Sequence, residues 1–460
     1  MGGKPIHFAI SERKVLLRLF DVIFSVLSLG LTSYFFSFDY FNYENPDIII
    51  WLITFTFYFI LFGEVFQLYN LQVSSNRFSV TKSLFLTSIV TTLFYFLTPY
   101  ISPSLPENRI QIIYFFLAIS TPVLLWRFLY TTLLYTPKYF KNILLVSHSS
   151  KIESIVHLIE NNGHYNISAY VSDREIETLG NLHHISEEEI SDAVMSKKIT
   201  EIIISPIGFT KEEIININKK MVLLFEEGVT IKSYESFYEE ITDRIPKEYL
   251  NFDFYNNINL IRNNDNKFYV LFHRLLDTIV SLIGILILLM LLPLIFIVNL
   301  VFNKGPLFYI QERVGEKGKT FKIYKLRTMI VNAEANGAVW AIKNDKRITP
   351  FGKLLRNTRL DESPQFFNIL KGDMSIIGPR PERPEFVKKL EDEIPYYGLR
   401  HVIKPGITGW AQVKYPYAGS VEEQEKKLRY DLYYIKEQSL FIDFKILIKT
   451  ITTVLFFRGQ

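Results

Sequence analysis

The chain has 460 residues, enough for two or three domains of ordinary size rather than one. Hydrophobic residues make up 48%, aromatics 15% and charged residues 21%, which suits neither a uniformly soluble protein nor a fully embedded one, so a membrane part joined to soluble parts is expected. The net charge of +4 is too small to imply nucleic acid, and the lack of cysteine excludes disulfides and thiolate metal sites.

Four apolar stretches come first, at about Leu16 to Phe38, Ile48 to Leu68, Leu84 to Ile101 and Ile110 to Leu134. Each is close to the roughly 20 residues needed to cross a bilayer. The first is too long for a signal peptide core and has no small-residue cleavage site after it, so it is expected to stay as an anchor. Lys4, Arg13, Lys14 and Arg18 precede it, "SFDYFNYENPD" after it carries no Lys or Arg, and Arg77, Lys82, Lys138 and Lys141 follow the second and fourth. The positive-inside bias then puts the N-terminus and everything after residue 138 in the cytoplasm.

From Lys141 the pattern becomes "NILLV", "SKIESIVHLIEN", "ISAYVS", "TEIIISP", "IININKKMVLLFEEG" and "VTIKSYE". Strand and helix signals alternating at this spacing predict a parallel, Rossmann-like α/β domain. The first strand is followed by "SHSS", which has no glycine and so lacks the dinucleotide-binding fingerprint. The expected domains are 1–138, 139–255 and 256–460.

His273 to Asn303 is another run long enough to span, yet basic residues flank both ends: Arg262, Lys267 and Arg274 before it, Lys304, Arg313, Lys317 and Lys319 after it. Both ends are therefore expected in the cytoplasm. Pro293 removes a helical hydrogen bond mid-segment, so a re-entrant helix turning there is predicted; a kinked spanning helix is the alternative. The tail "SLFIDFKILIKTITTVLFF" sets Leu440, Phe441, Phe444, Leu447, Ile448 and Ile451 on one side, with Asp443, Lys445 and Lys449 on the other. This pattern predicts a helix in the membrane interface, though a soluble core helix would carry the same stripe.

Between them lies "RLDESPQFFNIL", with Asp361 and Glu362 just ahead of a short apolar helix. Taken alone, Asp361 reads as an N-cap. Orphan amides and the positive helix end would also bind phosphate and keep a carboxylate ionised, and an ionised carboxylate can attack phosphorus. Arg313, Lys325, Arg327, Lys353, Arg356, Arg359, Arg380, Arg383 and Lys404 surround the pair in sequence. Such density is usually a solvated face or a contact to anionic lipid. "GPRPERP" differs, because its prolines stiffen the loop holding Arg380 and Arg383, and rigid guanidinium forks suit phosphate. "KPGITGW" adds a tight turn and a tryptophan suited to an interface. No H-E-x-x-H, G-x-S-x-G or P-loop occurs, so zinc hydrolysis, serine acyl transfer and Walker-type ATP use lack support. The remaining set suits phosphate chemistry with a divalent cation such as Mg²⁺.

These residues resemble the bacterial sugar transferases, also called polyprenyl-phosphate glycosyl-1-phosphate transferases, of the monotopic phosphoglycosyl transferase superfamily. The resemblance covers about Phe268 to Gln460 and rests on "RLLD", "FYIQERVGEKGKTFKIYKLRTM", "RITPFGKLLRNTRLDESPQFFNILKGDMSIIGPRPERPEF", "RHVIKPGITGWAQV" and "YDLYYIKEQSLFIDFKIL". By layout, the preceding part resembles the long members that act in exopolysaccharide, capsule or O-antigen synthesis. The resemblance implies transfer of a sugar 1-phosphate from a nucleotide diphosphate sugar, such as a UDP-sugar, to undecaprenyl phosphate at the cytoplasmic face of the bacterial inner membrane. Asp361 would be the nucleophile and Glu362 the Mg²⁺ ligand. Arg380 and Arg383 would grip phosphates or the nucleotide, Lys325, Arg327 and Arg359 would line the same pocket with Arg313 close by, and Pro293 would be the break in the re-entrant helix. The catalytic domain would be mostly α-helical, with interfacial amphipathic helices, and the long form leaves a homodimer open. Leu292, Ser363 and Phe366-Phe367 depart from the commoner motifs. A non-catalytic membrane scaffold or sensor, and a glycosyltransferase passing sugar without phosphate, are the competing readings.

Overall fold

A computed structural model describes residues 10–36, 45–70, 74, 77–98, 100–103, 105, 108–134, 141–162, 165–247, 266–331, 333, 345–415 and 419–455. The boundaries expected at 138/139 and 255/256 both fall outside these residues. The chain divides into two compact units, Met1–Phe237 and Tyr238–Gln460. Among the described residues, five helices are long and apolar enough to cross a membrane.

The first unit opens with α1 (Ile10–Phe36), α2 (Ile48–Val65), α3 (Arg77–Leu97) and α4 (Ile110–Leu129). Their shared core is aromatic: Phe55 meets Tyr95 and Phe115 edge to face, at 87° and 88°. A buried ion pair joins α1 to α4, Asp21 to Arg127 at 2.5 Å, with both side chains fully enclosed, and Arg127 also donates to Ser74 Oγ. Arg18 of α1 pairs with Glu64 of α2.

An α/β layer follows: β1 (Lys141–Ser147), α5 (Ser149–Asn162), β2 (Tyr165–Val171), α6 (Ile190–Ser196), β3 (Glu201–Ser205), α7 (Lys211–Glu226) and β4 (Thr230–Ser233). The four strands are parallel in the order β2-β1-β3-β4. Leu144, Val146 and Ile202 pack against Ile190, Ile217 and Met221 from α6 and α7. The order reverses between β1 and β3, the position where such sheets bind ligands. Here the first amide of α5, Ser149 N, donates to Asp173 at 2.6 Å and its hydroxyl donates to the same carboxylate at 3.0 Å. The glycine-free turn leans on Gly208, at φ +103°, where an added Cβ would lie 2.7 Å from His148. Helix α8 (Tyr234–Thr242) contains the division between the units.

The second unit contains α9 (Lys267–Phe302), β5 (Phe308–Val314), β6 (Thr320–Leu326), α10 (Pro350–Asn357), α11 (Gln365–Lys371), β7 (Ser375–Ile377), α12 (Pro384–Glu393), β8 (Gly406–Thr408), α13 (Trp410–Lys414), α14 (Val421–Glu437) and α15 (Leu440–Leu455). Strands β5 and β6 form an antiparallel hairpin, with Tyr309 opposite Lys325, and β7 pairs with β8 in parallel.

Helix α9 has 36 residues and Pro293 lies inside it, not between two helices. The ring costs one rung of the ladder, and the turns on either side stay helical, unlike the chain reversal expected there. What distinguishes α9 is that both its ends pack on this same unit. Near its start, Arg274 donates to the Ile369 and Leu370 carbonyls at 2.8 Å each, and Asp277 accepts from Ile376 N at 2.8 Å. Near its end, Ile295 packs with Leu326, Phe351 and Leu355, and Asn303 donates to the Arg327 carbonyl. Its other face, including Leu275, Leu282, Leu286, Met290 and Ile297, is exposed and apolar.

Helix α15 is likewise two-faced. Ile442 and Ile446 enter the core, and Asp443 is buried and accepts from the Tyr269 and Tyr434 hydroxyls at 2.7 Å each. Phe441, Phe444 and Ile451 are exposed. Trp410, expected at an interface, is instead core: it is 2% exposed and donates to the Asp243 carbonyl.

Candidate active site

Local sequence sets the carboxylate pair. Thr349 caps α10 by accepting from Gly352 N at 3.0 Å, and Pro350 opens the helix where its missing N–H costs nothing. Gly352 is required by close approach, since a Cβ there would sit 1.9 Å from the Thr328 carbonyl oxygen. After Asn357 the chain reverses through Arg359 at φ 58°, a left-handed conformation that costs a non-glycine residue ~1 kcal/mol or more. Leu360–Glu362 then form a 3-10 turn in which Asp361 and Glu362 are both buried.

The pair stands in its own turn just before α11, where the sequence places it. The nearby amides are used locally: Glu362 N donates to the Arg359 carbonyl and Ser363 N to that of Leu360. Guanidinium groups, not a helix end, supply the positive charge at Glu362. Its Oε1 accepts from Arg380 at 2.7 Å, and Arg359 lies 3.6 Å from the same oxygen.

Three anchors hold this turn. Asn368, fully buried, accepts from Tyr324 N and donates to the Lys322 carbonyl, tying α11 to β6. Gly372, at φ 95°, ends α11 with bonds to the Asn368 and Ile369 carbonyls, and Arg274 of α9 takes up the last ones. Gly284 of α9 lies so close to Phe366 that a Cβ would be 2.4 Å from its ring.

The two carboxylates differ in proton affinity. Burial, reinforced by the Glu362 charge, pushes Asp361 up to about 6 against the pull of Lys325, Arg356 and Arg359. Burial also works to raise Glu362, but Arg380, Lys325 and Arg359 outweigh it and hold the group well below the usual range. Lys325 is pushed down to about 8 by burial and Arg380, with Glu362 and Asp361 opposing. Asp361 Oδ1 is buried and accepts no hydrogen bond. Two adjacent carboxylates driven apart in this way can divide their roles, one as reactive base or nucleophile and one as fixed charge.

Of the residues singled out in the sequence, Asp361, Glu362, Lys325, Arg359 and Arg380 come together. Arg313 lies beside this group but serves the loop, donating to the Pro381 carbonyl at 3.2 Å and standing 3.7 Å from Glu382. Arg383 precedes α12, over the Phe386 ring and 3.6 Å from Glu385. Arg327 does not join the cluster: its guanidinium donates to the carbonyls of Asn303, Pro306 and Met329 and so fastens the end of α9. Arg356, left out of the expected site, acts on Asp361 and is held by Thr328 Oγ1 at 2.9 Å.

Mg²⁺ fits only in part. Among the described residues no three His, Asp or Glu side chains gather as a metal site. Asp361 with its unpartnered oxygen and Glu362 could hold the ion where substrate phosphate and water supply the remaining oxygens, as Mg²⁺ prefers.

Residues 268–457 match the family of bacterial sugar transferases. The chain is 50% identical over 153 residues, 33% of its own length and 36% of the relative's, to the UDP-N-acetylgalactosamine-undecaprenyl-phosphate N-acetylgalactosaminephosphotransferase of Aeromonas hydrophila. It is 51% identical over 132 residues, covering 74% of the relative, to a putative undecaprenyl-phosphate N-acetylgalactosaminyl 1-phosphate transferase of Bacillus subtilis. A UDP-glucose:undecaprenyl-phosphate glucose-1-phosphate transferase of Klebsiella pneumoniae is 42% identical over 188 residues, 40% of each chain. The chain thus spans little more than a third of the first of these proteins and two fifths of the third.

Proposed function

We propose, from the premise that this chain belongs to the bacterial sugar transferase family, that it transfers a sugar 1-phosphate from a UDP-sugar to undecaprenyl phosphate, with Asp361 as the nucleophile. The observation that carries the reading is the carboxylate pair: Asp361, buried with an unpartnered oxygen, beside a Glu362 neutralised by Arg380, within a ring of cations. In the first step an Asp361 oxygen attacks the phosphorus that bears the sugar; the P–O–P bond breaks and UMP leaves with the bridging oxygen. In the second, an oxygen of undecaprenyl phosphate attacks the same phosphorus, the bond to Asp361 breaks, and the carboxylate is restored. Lys325, Arg356 and Arg359 neutralise phosphate charge as it enters, and Arg380 keeps Glu362 ionised. Mg²⁺, held by Glu362 and Asp361, would add charge neutralisation at the phosphates.

The acceptor's phosphate lies at a membrane surface, and α9 suits that location. Both of its ends rest on one unit while its opposite face stays apolar, so a helix lying against one side of the membrane accounts for it better than one that crosses. Helix α15, exposing Phe441 and Phe444, would lie in the same interface. With the flanking basic residues, this favours the cytoplasmic face of a bacterial inner membrane and the first step of polysaccharide assembly.

The test is to incubate the purified protein with undecaprenyl phosphate, Mg²⁺ and each of several UDP-sugars. UMP release with formation of a lipid diphosphate sugar is expected, as is a phosphosugar adduct on Asp361 by mass spectrometry when acceptor is omitted. UDP in place of UMP would overturn the reading.

A further inference from the structure

We propose that Asp431 and Arg400 are positioning residues for Arg380, acting through its main chain; the proposal rests on the transferase reading above. The loop from Gly378 to Arg383 contains Pro379 and Pro381, which have no N–H, so its carbonyls must be satisfied from outside. Arg313 donates to the Pro381 carbonyl and Val314 N to that of Glu382. The carbonyl of Arg380 accepts from Arg400 Nη2 at 3.0 Å. Arg400 is 2% exposed, donates to the Tyr397 hydroxyl at 2.5 Å and lies 2.9 Å from Asp431 of α14, which is 1% exposed.

Enclosing two charges this deeply is expensive, and a pair of apolar side chains would serve stability as well or better. The pair does something apolar residues cannot: it presents a guanidinium N–H, fixed in direction, to the carbonyl of the residue whose own guanidinium grips Glu362 2.7 Å away. The surrounding charges complete the mounting, with Lys427 3.7 Å from Glu382 and Arg313 equally distant on the other side. A line of contact therefore runs from α14 through Arg400 and the Arg380 backbone to Glu362 and so to Asp361. Neither Asp431 nor Arg400 touches the carboxylate pair.

The experiment compares Asp431→Asn with the wild type and with Lys436→Gln, which breaks another ion pair of α14, Lys436 to Glu239 at 2.7 Å, away from the loop. Two readouts are taken on the full-length protein in nanodiscs: kcat and KM measured separately, and hydrogen exchange of the amides of Gly378, Arg380 and Glu382. For Asp431→Asn, kcat should fall about tenfold with KM little changed, because Arg380 holds Glu362 rather than substrate. Exchange in the loop should quicken. Lys436→Gln should alter neither. Unchanged loop exchange in Asp431→Asn, or quickened exchange with an unchanged kcat, overturns the positioning role while leaving the transferase reading intact. A wild type that releases no UMP from any UDP-sugar overturns that reading instead, and loop exchange alone then decides whether Asp431 holds the Arg380 main chain.

Discussion

At the scale of single residues, Asp361 and Glu362 carry opposite signs of linkage. The pKa of Asp361 is raised in the fold, so its contribution to stability is complete below about pH 4 and is lost as pH rises through about 6. At neutral pH its buried charge costs up to ~3 kcal/mol. Asp361→Asn should abolish transfer and raise the melting temperature at pH 8, the difference vanishing below pH 4. Glu362 is held low, so its contribution is present above its ordinary pKa and fades only in strong acid. Glu362→Gln should therefore lower the melting temperature at pH 8. In the wild type, kcat/KM should fall below about pH 6 as Asp361 takes up its proton. Arg359 separates backbone from charge: Arg359→Gly relieves the left-handed strain and should melt no lower than wild type, whereas Arg359→Ala should melt ~1 kcal/mol below the glycine variant. Both should lose at least about tenfold in kcat through the missing guanidinium. The acidic pair and Arg380 were legible in the sequence because a carboxylate pair and a proline-stiffened arginine are chemically unusual. The function of Arg327 was not legible: nothing in "YKLRTM" reveals that three carbonyls distant in the chain consume its donors. Asp431 did leave a signal, as a lone acid in the aromatic stretch "YDLYYI".

At the scale of elements, apolar periodicity located the long helices and the parallel strands. It could not tell a break from a tolerated proline in α9, because neighbouring turns and packing at Leu291 and Ile295 stabilise a helix whose sequence alone suggests interruption. Nor could it find the 3-10 turn, which follows from one left-handed residue. At the switch point of the sheet, the carboxylate of Asp173 occupies the position a phosphate would take at the start of α5. Asp173→Ala should remove this cap and destabilise the α/β layer by ~1 kcal/mol, measurable as faster exchange at Ser149 and Ser150.

At the scale of the whole molecule, the reading of topology turns on where the two ends of α9 lie. The chain has no cysteine, so single cysteines can be introduced at Phe268 and Lys304 and labelled with an impermeant maleimide in oriented vesicles. Both should react from the same side; labelling from opposite sides would show that the helix crosses. The five apolar helices described were legible because length and hydropathy suffice for them, whereas the attachment of α9 to the rest of its unit depends on contacts between residues about a hundred positions apart, such as Arg274 with Ile369.

The bonds from Arg274 to the end of α11, and the close packing of Gly284 on Phe366, have a mechanical consequence. A helix seated in lipid finds its depth from the thickness of the hydrocarbon around it, and α9 is clamped to the segment that bears Asp361. If α9 rests in lipid and Asp361 is the nucleophile, as proposed, the height of its oxygen above the bilayer would be set by the lipid as well as by the protein, and acyl-chain length would become a physical control on how well that oxygen meets a headgroup phosphate.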